Sequence, residues 1–536
     1  MQPLMLRPSP PRMPHEVHKL HSIEAIPRIQ SAEIGATLTR LRSASVALAG
    51  ILSFALALRL FLLLTHTYIV HPDETFQYLE QAHRLAFGYG VVPWEYHDGI
   101  RSWLFPGALA AVMRLVALIY PRPEVYLFFI RSCCVLLSLS VPYVGFRLAQ
   151  RRLGLPAAIV TGLLCALWYQ LLYFAPVVMT EIVATHVALW AIYLADDSAD
   201  APAPSRRLAA AGALFALAVC LRFQYAPALA AAVIWQCGLD RRRWMPVIAG
   251  GLAVVLLASG VLDAITWGTP FQSVWLNFVR NATQGVSAGM GTEPWSYYLQ
   301  YLLVATGPWA PVLAALLLLG AYRVPALGLA AVSVVLLHSF AAHKEIRFIY
   351  FALAAAPILI GIGTAVLLDA ISPSRRALRT IAVLLLPLLL CGAEASVSLR
   401  QATPADAWHR DAGTVAAFFA AHADAAVCGV GVRIPWVYRT GGYTYLHRPV
   451  PLYFEGIEQA EHPPGVPRAL PLSVMLNGKE VPQYPNAQLA AHTGRFNAMI
   501  AFRGDEYLGY APTACFRGPL AGERTICLYR RPGGCD

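Results

Sequence analysis

The sequence predicts a mainly α-helical, polytopic membrane protein with a small α/β domain at its C-terminal end. Hydrophobic residues make up 57% of the 536 residues and charged residues only 13%, about half the charged share of an average soluble domain. Apolar runs of about 20 residues, the length that crosses a bilayer as a helix, recur between short arginine clusters. Beyond residue 400 no such run occurs, and polar residues mix with glycine and proline.

The net charge of +11 comes largely from short arginine clusters that stand between apolar runs. Such clusters mark the cytoplasmic loops of membrane proteins. We therefore read the charge as a sign of membrane topology, and we expect membrane lipids rather than nucleic acid as partners. The clusters are Arg151/Arg152, Arg206/Arg207, Arg241 to Arg243 and Arg375/Arg376.

Three parts follow one another along the chain. Residues 1–44 are basic and rich in proline, and we expect them to form a flexible cytoplasmic tail. Residues 45–399 form the predicted membrane domain, and residues 400–536 form a predicted small α/β domain outside the cytoplasm. About eleven spans are expected, one for each apolar run. They lie near 46–67, 124–147, 157–176, 180–195, 207–221, 225–238, 245–266, 298–320, 324–342, 347–369 and 380–399.

One further apolar segment, residues 101–120, is short and carries Arg114 near its middle. If it crossed the bilayer, the later arginine clusters would face outward, against the positive-inside rule. We therefore expect a juxtamembrane or re-entrant helix on the outer face. This topology brings the stretch after His71, Glu181, "LRFQYAP", "EPWSYY" and "HKEIRF" to the outer side. Ionisable residues at membrane depth are costly and usually mark a functional site.

The first predicted outer loop is rich in ionisable and aromatic side chains. It begins at His71 and reads "HPDETFQYLEQAHRLAFGYGVVPWEYHDGIRSWLFPG". This composition suits the transfer of a sugar from a lipid phosphate to a hydroxyl group, because a base must accept the hydroxyl proton while cations stabilise the leaving phosphate. Asp73 and Glu74 also stand where a helix that starts near Pro72 would place its cap, and the two roles are compatible.

The segment after residue 400 predicts strands and a disulfide. "AAVCGVGV" and "FNAMIAF" read as buried strands, and "TACFRGPLAGERTICLYRR" reads as two strands around a Gly/Pro turn. Cys515 and Cys527 would lie on adjacent strands of this hairpin, so a disulfide between them is expected. Pairing with Cys428 or Cys535, or two buried free thiols, are the alternatives.

Three motifs resemble those of the family 22 glycosyltransferases, the polyprenyl-phosphate-mannose-dependent α-mannosyltransferases. The loop after His71 passes, as in that family, from an acidic pair through Gly-x-Gly and Trp-Glu to Ile-Arg-Ser and Pro. "EPWSYYLQYLLVATGP" resembles the family's Trp-x-Tyr-Tyr segment, and "AAHKEIRFIYFALAAAP" resembles its His-Lys-Glu-x-Arg-Phe motif. The motifs occur in the family's order over residues 71–357. One departure is "LRFQYAP", which keeps Arg222 but has Phe and Gln where Pro and Thr usually follow.

The resemblance implies a GT-C fold with the active site in the first outer loop. Asp73 matches the family's acidic base, and Glu74 beside it is a second catalytic candidate. The expected ligands of the donor phosphate are His343, Lys344, Arg347 and Arg222. The expected substrate pocket contains His71, Gln77, Trp94, Glu95, Arg101, Glu181, Trp295, Tyr297 and Tyr298. Lipid-monophosphate donors generally need no metal, so we expect no metal or other cofactor, although His71, Asp73, Glu74 and His83 could ligate one.

The expected function is that of an integral-membrane, inverting glycosyltransferase. It would move a hexose, with mannose the expected sugar, from a polyprenyl-phosphate donor to a hydroxyl group of a lipid-linked or glycolipid acceptor at the outer face. The Ala- and Arg-rich composition places it in a bacterial inner membrane, with the site on the periplasmic side, or in the endoplasmic reticulum if the source is eukaryotic. A transporter or flippase of lipid-linked saccharides and a non-catalytic scaffold on the same fold are the alternatives.

Overall fold

The computed structural model describes most of the chain. The chain divides into two compact units, residues 1–49 and residues 50–536. The described residues are 26–66, 69, 71–197, 202–371, 376–400, 411–434, 440–455, 472–483, 489–505, 509–517 and 524–536. Residues 1–25 of the expected tail lie outside them.

The first helix, α1, spans Ile26–Thr65 and supplies all that is described of the first unit. The tail expected to stay flexible up to residue 44 is therefore helical from Ile26 onward. The local reason is that Pro27 stands in the first turn, where proline is tolerated, and no further proline occurs before the helix ends. The expected boundary between tail and membrane domain thus falls inside α1.

The helices that follow are mostly short and apolar. Their bounds are α2 Glu80–Phe87, α3 Trp94–His97, α4 Leu104–Ala117, α5 Pro123–Ser138, α6 Ser140–Leu153, α7 Leu155–Leu167, α8 Tyr169–Phe174, α9 Thr180–Ala195, α10 Ser205–Leu221, α11 Ala226–Cys237, α12 Arg241–Val255, α13 Leu262–Trp267, α14 Gln272–Phe278, α15 Tyr297–Thr306, α16 Ala310–Arg323, α17 Pro325–Phe340, α18 Tyr350–Ile371, α19 Arg376–Arg400, α20 Ala412–Ala423 and α21 Gly442–Leu446. Short turns of other helix types connect several of them, among them the wider π-helical turn Glu74–Leu79 and the tighter 3-10 turn Ile346–Ile349.

Six helical stretches of the described chain are long and apolar enough to cross a membrane: Arg42–Thr65, Pro123–Leu153, Arg241–Trp267, Tyr297–Arg323, Ile346–Ala370 and Ile381–Ser398. The other five expected spans form α7, α9, α10, α11 and α17, each shorter than the roughly 20 residues of a full span. All five end at non-helical backbone, at Trp168, Asp196, Arg222, Gly238 and Ala341. The chain breaks its helices there instead of extending them.

The segment 101–120 forms α4, which has 14 residues and is too short for a full span. One face, with Phe105, Leu109 and Met113, is buried in the core. Beyond its last turn, Leu118 and Ile119 are exposed. An exposed apolar end of this kind suits contact with lipid.

Within the described residues, eight strands form two sheets. Their bounds are β1 Gly90–Val92, β2 Val430–Arg433, β3 Leu452–Glu455, β4 Leu472–Leu476, β5 Lys479–Gln483, β6 Ala498–Phe502, β7 Ala511–Phe516 and β8 Ile526–Arg530. The larger sheet has the order β3-β2-β6-β8-β7, with β2 parallel to both of its neighbours and β8 antiparallel to β6 and β7. The predicted α/β character of the C-terminal segment is confirmed, and its strands include the three stretches named from the sequence.

The smaller sheet joins the C-terminal segment to the loop that begins at His71. Strand β1, which belongs to that loop, pairs antiparallel with β4, and β4 pairs with β5. Nearby, the buried carboxylate of Glu80 accepts hydrogen bonds from the backbone N–H groups of Val91 (2.8 Å), Tyr443 (2.9 Å) and Thr444 (2.8 Å), and from the Thr444 hydroxyl (2.6 Å). The segment after residue 400 is therefore built into the loop that carries the predicted site.

Replacing Glu80 by glutamine is expected to destabilise this junction. The amide retains one acceptor oxygen, so at least one buried donor at Thr444 or Tyr443 loses its partner, at a cost of about 1–3 kcal/mol. The midpoint of thermal unfolding in detergent should fall, while Glu124→Gln, an exchange at an exposed position in the first turn of α5, should leave it unchanged. Equal midpoints for the two variants would show that the Glu80 contacts do not hold the junction.

Candidate active site

Asp73 lies where the chain leaves α1 and enters the helical turn Glu74–Leu79. Its backbone N–H donates to Nδ1 of His71 at 3.2 Å, which fixes the two residues relative to each other. The Asp73 side chain is 23% exposed, in contrast to the buried residues of the turn that follows. Asp73 is thus the accessible member of the acidic pair.

Arg347 connects Asp73 to two further carboxylates. It stands in the turn Ile346–Ile349, which leads into α18. Its Nη2 lies 2.6 Å from Oδ2 of Asp73, its Nε lies 2.6 Å from Oε2 of Glu345, and its Nη1 lies 3.6 Å from Oε1 of Glu181. Glu181 also pairs with Arg222, at 3.0 Å. The predicted residues from four separate segments therefore meet in one ion-pair network.

His71 lies between two carboxylates of this network. Its Nδ1 is 3.5 Å from Oδ1 of Asp73, and its Nε2 is 3.2 Å from Oε2 of Glu345. The other Glu345 oxygen is 2.9 Å from Nε2 of His343. Glu345 therefore contacts two histidines and Arg347 at once.

The charges around Asp73 decide its protonation state. Burial alone would raise the pKa of Asp73, but Arg347, the imidazole of His71 and Arg101 together hold it well below its usual range. The same opposition acts on Glu345, whose pKa is lowered by Arg347 and His343 despite its burial. Both carboxylates are therefore ionised at neutral pH.

A cavity of about 520 Å³, including the part that opens to solvent, adjoins the network. Arg101 and Arg222 are the cationic residues in its wall, and the others are Tyr78, Ile100, Ser102, Leu104, Phe105, Thr180, Cys220, Leu221, Phe223, Gln224, Ser273, Val274 and Asn277. Polar groups thus line one part of the cavity and apolar side chains of α4 and α10 another.

Arg101 differs from the other arginines of the site. Among the described residues it forms no ion pair within 4 Å, and its buried Nε has no hydrogen-bond partner. Its backbone is held in place, because Trp267 donates to the Arg101 carbonyl (3.0 Å) and Asn277 donates to the carbonyl of Ile100 (3.1 Å). Arg101 therefore presents a positioned cation whose hydrogen-bonding capacity is unused.

Glu95 is a further carboxylate near Arg101. Gln77 donates to its Oε1 at 2.7 Å, and both side chains are buried. Burial raises the pKa of Glu95 to about 7, against the lowering effect of Arg101. Trp94, the preceding residue, is also buried.

Several predicted site residues lie outside the ion-pair network around Arg347. Glu74 is buried in an ion pair with Arg131 (3.3 Å) instead of standing beside Asp73, because successive residues of a helical turn face in different directions. Lys344 donates to the backbone carbonyls of Glu293 and Ala341, so its ammonium group is occupied. Trp295 is 71% exposed and does not belong to the described cavity.

The two tyrosines after Trp295 have supporting positions. Tyr298 is fully buried and donates to the backbone carbonyl of Glu345 at 3.1 Å, while Tyr297 is partly buried. Glu345 itself contacts His71, His343 and Arg347, and the sequence analysis predicted none of these contacts. The sequence signal for these contacts is the position of Glu345 inside the motif "HKEIRF".

Two disulfides cross-link residues within the C-terminal segment. Cys515 and Cys527 are bonded across the β7–β8 hairpin, with Cα atoms 4.1 Å apart. Cys428 and Cys535 form the second bond, with Cα atoms 5.8 Å apart. Neither bond lies in the ion-pair network.

The fold resembles a solved membrane enzyme structure over nearly its whole length. It matches ArnT from Cupriavidus metallidurans bound to undecaprenyl phosphate with a TM-score of 0.52 and 15% sequence identity, over 92% of this chain and 98% of that chain. At this identity the likeness shows the fold alone. The predicted GT-C fold is confirmed, and the chain is an integral, multi-pass membrane protein.

The relatives found by sequence are named as mannosyltransferases. The chain is 31% identical over 301 residues to GPI mannosyltransferase 3 of Yarrowia lipolytica, covering 54% of this chain and 56% of the relative. It is 27% identical over 318 residues to GPI alpha-1,2-mannosyltransferase 3 of Danio rerio, covering 55% of each. The chain thus spans about half the length of the relatives that it matches.

The model of the Alg9-like mannosyltransferase family matches residues 50–447. That range contains all three motifs on which the resemblance to family 22 glycosyltransferases rests, together with the ion-pair network around Arg347. The chain belongs to the Alg9-like mannosyltransferase family.

Proposed function

We propose that this protein is an inverting mannosyltransferase that moves mannose from a polyprenyl-phosphate donor to a hydroxyl group of a lipid-linked or glycolipid acceptor at the outer face of the membrane. The observation that carries the proposal is the ionised, accessible carboxylate of Asp73, which lies in one network with buried arginines and adjoins a cavity. A base and an anion-binding group must both be present for this reaction.

In the proposed reaction the acceptor oxygen attacks C1 of the sugar. Its proton passes to Asp73, and the electron pair of the bond between C1 and the phosphate oxygen leaves with the lipid phosphate. Arg347 keeps Asp73 ionised and oriented through the 2.6 Å contact to Oδ2, which leaves Oδ1 for the incoming proton. The one-step displacement converts a β-linked lipid phosphosugar into an α-glycoside.

We place the donor phosphate at Arg101 rather than at the cations of "HKEIRF". Arg347 and His343 are held by carboxylates, Arg222 is held by Glu181, and Lys344 is held by backbone carbonyls. A phosphate at Arg347 or His343 would have to displace a carboxylate, whereas Arg222 and Lys344 keep spare N–H groups but already share their charge with Glu181 or with backbone carbonyls. Arg101 lines the cavity with its guanidinium unpaired, and a guanidinium binds phosphate through two parallel hydrogen bonds.

The protonation state of Glu95 is expected to affect donor binding, so the donor KM should depend on pH. Because its pKa is raised to about 7, Glu95 is neutral below that pH and adds a negative charge near Arg101 above it. The donor KM is therefore expected to rise by roughly threefold to tenfold between about pH 6 and about pH 8. Glu95→Gln should keep the KM low and independent of pH, and a variant with the wild-type pH dependence would exclude this role for Glu95.

A direct assay tests the proposed function. The purified full chain is supplied with synthetic polyprenyl-phosphate-mannose and a panel of lipid acceptors, and products are identified by mass spectrometry. We expect a mannosylated acceptor, also in the presence of EDTA, because arginines supply the positive charge at the leaving phosphate. A flippase would move the donor across a vesicle membrane without forming product, and a scaffold would do neither.

The proposed outer-face location is tested by labelling single cysteines, introduced in a background without the native free cysteines. Cysteines at Asp98 and at the exposed Arg122, on either side of α4, should both react with a membrane-impermeant thiol reagent added from outside. A cysteine at Arg242, in a predicted cytoplasmic loop, should react only after the membrane is opened. Outside labelling at Asp98 alone would mean that α4 crosses the membrane.

A further inference from the structure

The base of the proposed reaction has difficulty in holding the proton that it accepts. Asp73 is kept ionised by the positive charges around it, and its Oδ2 is already bound to Arg347 at 2.6 Å. A carboxyl group stabilised in its charged form gives up a proton readily. The accepted proton must therefore leave Oδ1 before the next turnover, either to solvent or to a neighbouring base.

His71 is placed to be that group. Its Nδ1 accepts the backbone N–H of Asp73 at 3.2 Å and lies 3.5 Å from Oδ1 of the same residue. An Nδ1 that accepts a hydrogen bond carries no hydrogen, so the hydrogen of the neutral ring is on Nε2, which faces Glu345 at 3.2 Å. The unprotonated nitrogen thus lies next to the oxygen that receives the acceptor's proton. Catalytic contacts of this length commonly shorten when substrate binds.

Glu345 provides the charge that would stabilise a protonated His71. The charged and titratable groups that face the His71 ring are Asp73 on its own segment and Glu345 from the segment before α18. Arg347 and His343 lie beyond these carboxylates and contact them. The imidazolium would therefore stand between two carboxylates, while its side chain, which is 32% exposed, keeps access to solvent.

We propose that His71 is a proton-relay residue, which takes from Asp73 the proton of the acceptor hydroxyl and releases it to solvent. In this step the O–H bond on Asp73 breaks and an N–H bond forms on Nδ1 of His71, while Nδ1 gives up the hydrogen bond that it accepts from the Asp73 backbone N–H. The imidazolium then loses a proton to water, which restores the neutral ring and the ionised carboxylate. Imidazole suits this task because it gains and loses protons near neutral pH. The inference rests on the proposed function.

The decisive variant is His71→Gln. Glutamine can accept from the Asp73 N–H and donate to Glu345, as His71 does, but it cannot take up a proton. We expect kcat to fall by roughly tenfold to a hundredfold, while the donor KM and the midpoint of thermal unfolding stay close to wild type. At saturating donor, the pH profile of kcat should also differ from that of the wild type, because glutamine has no proton to gain or lose.

A second variant separates relay from orientation. His71→Ala should regain activity when imidazole is added, in proportion to the concentration of the unprotonated base, whereas a residue that only orients Asp73 would not be replaced by a free base. His97→Gln, in the same loop but in contact with Glu480 and Ser473, is the matched control and should keep wild-type kcat.

The outcomes are distinct. Wild-type kcat in His71→Gln would overturn the relay, and so would a reduced kcat with an unchanged pH profile and no rescue of His71→Ala. Either result leaves the proposed function standing as long as the wild-type enzyme transfers sugar and Asp73→Asn does not. Absence of transfer by the wild-type enzyme would instead contradict the proposed function itself.

Discussion

Asp73→Asn is expected to abolish sugar transfer while the protein still folds. Asparagine has nearly the same shape but cannot accept the proton of the acceptor hydroxyl, and loss of a general base typically costs about 10²-fold or more in rate. Folding should survive because Arg347 keeps its contacts to Glu345 and Glu181. The measurements are the initial rate of product formation at saturating substrates and the midpoint of thermal unfolding.

Asp98→Asn is the matched control for that experiment. Asp98 stands in the same outer loop and pairs with Arg280 at 3.0 Å, at a position that is only partly buried. Its exchange should leave turnover close to wild type, since exposed ion pairs contribute little. Turnover by Asp73→Asn close to that of the control would mean that another carboxylate, with Glu95 the next candidate, is the base.

Glu74→Gln should behave differently from Asp73→Asn although the two residues are adjacent. The Glu74 carboxylate is buried with Arg131, and a buried arginine left without its partner destabilises the fold. We therefore expect the Glu74 exchange to lower stability or yield, with turnover per folded molecule retained. The resemblance already favours Asp73 as the base, and the structure adds the reason for the difference, which is the ion pair of Glu74 with Arg131.

Arg101→Ala is expected to reduce kcat/KM for the donor by about 10²-fold, the usual effect of removing one group that stabilises a developing anion. Arg101→Lys should recover part of the loss, because lysine supplies the charge but not the two parallel hydrogen bonds of a guanidinium. Rates are measured at limiting donor and saturating acceptor. In these conditions the interaction with the lipid phosphate dominates the result.

Arg114→Ala controls for the general loss of a positive charge. Arg114 is exposed in the last turn of α4, away from the lining of the cavity. Wild-type kinetics are expected for it. If Arg101→Ala also kept wild-type donor kinetics, the phosphate would have to bind at Arg222 or Arg347 after their ion pairs open, and the structure would then represent a state that rearranges on donor binding.

The ion-pair network explains why several charged side chains can be buried together at this site. Arg222 and Arg347 are buried, and buried charges are tolerated when they are paired. Glu181 and Glu345 supply those partners. The network thereby holds Asp73 in place, whereas Arg101 forms no ion pair with any of the described residues.

Much of this protein was determined by the sequence alone. Apolar runs and arginine clusters predicted a multi-pass membrane protein, since burial in lipid demands long apolar helices. The turn and strand patterns predicted the β7–β8 hairpin. The stretch after His71, with "HKEIRF", indicated both the family and the segments that form the site.

Only the tertiary structure decided which charges meet. Asp73 and Arg347 are 274 positions apart, and Glu80 contacts Thr444 across 364 positions. Periodicity reports which face of an element is buried, but ion pairing depends on how distant elements pack and on the direction of each side chain. Packing therefore buried Glu74 against Arg131, occupied Lys344 with carbonyls and left Arg101 unpaired beside the cavity. It also joined β1 to β4, because a strand's partner is chosen by the fold as a whole and not by its own residues.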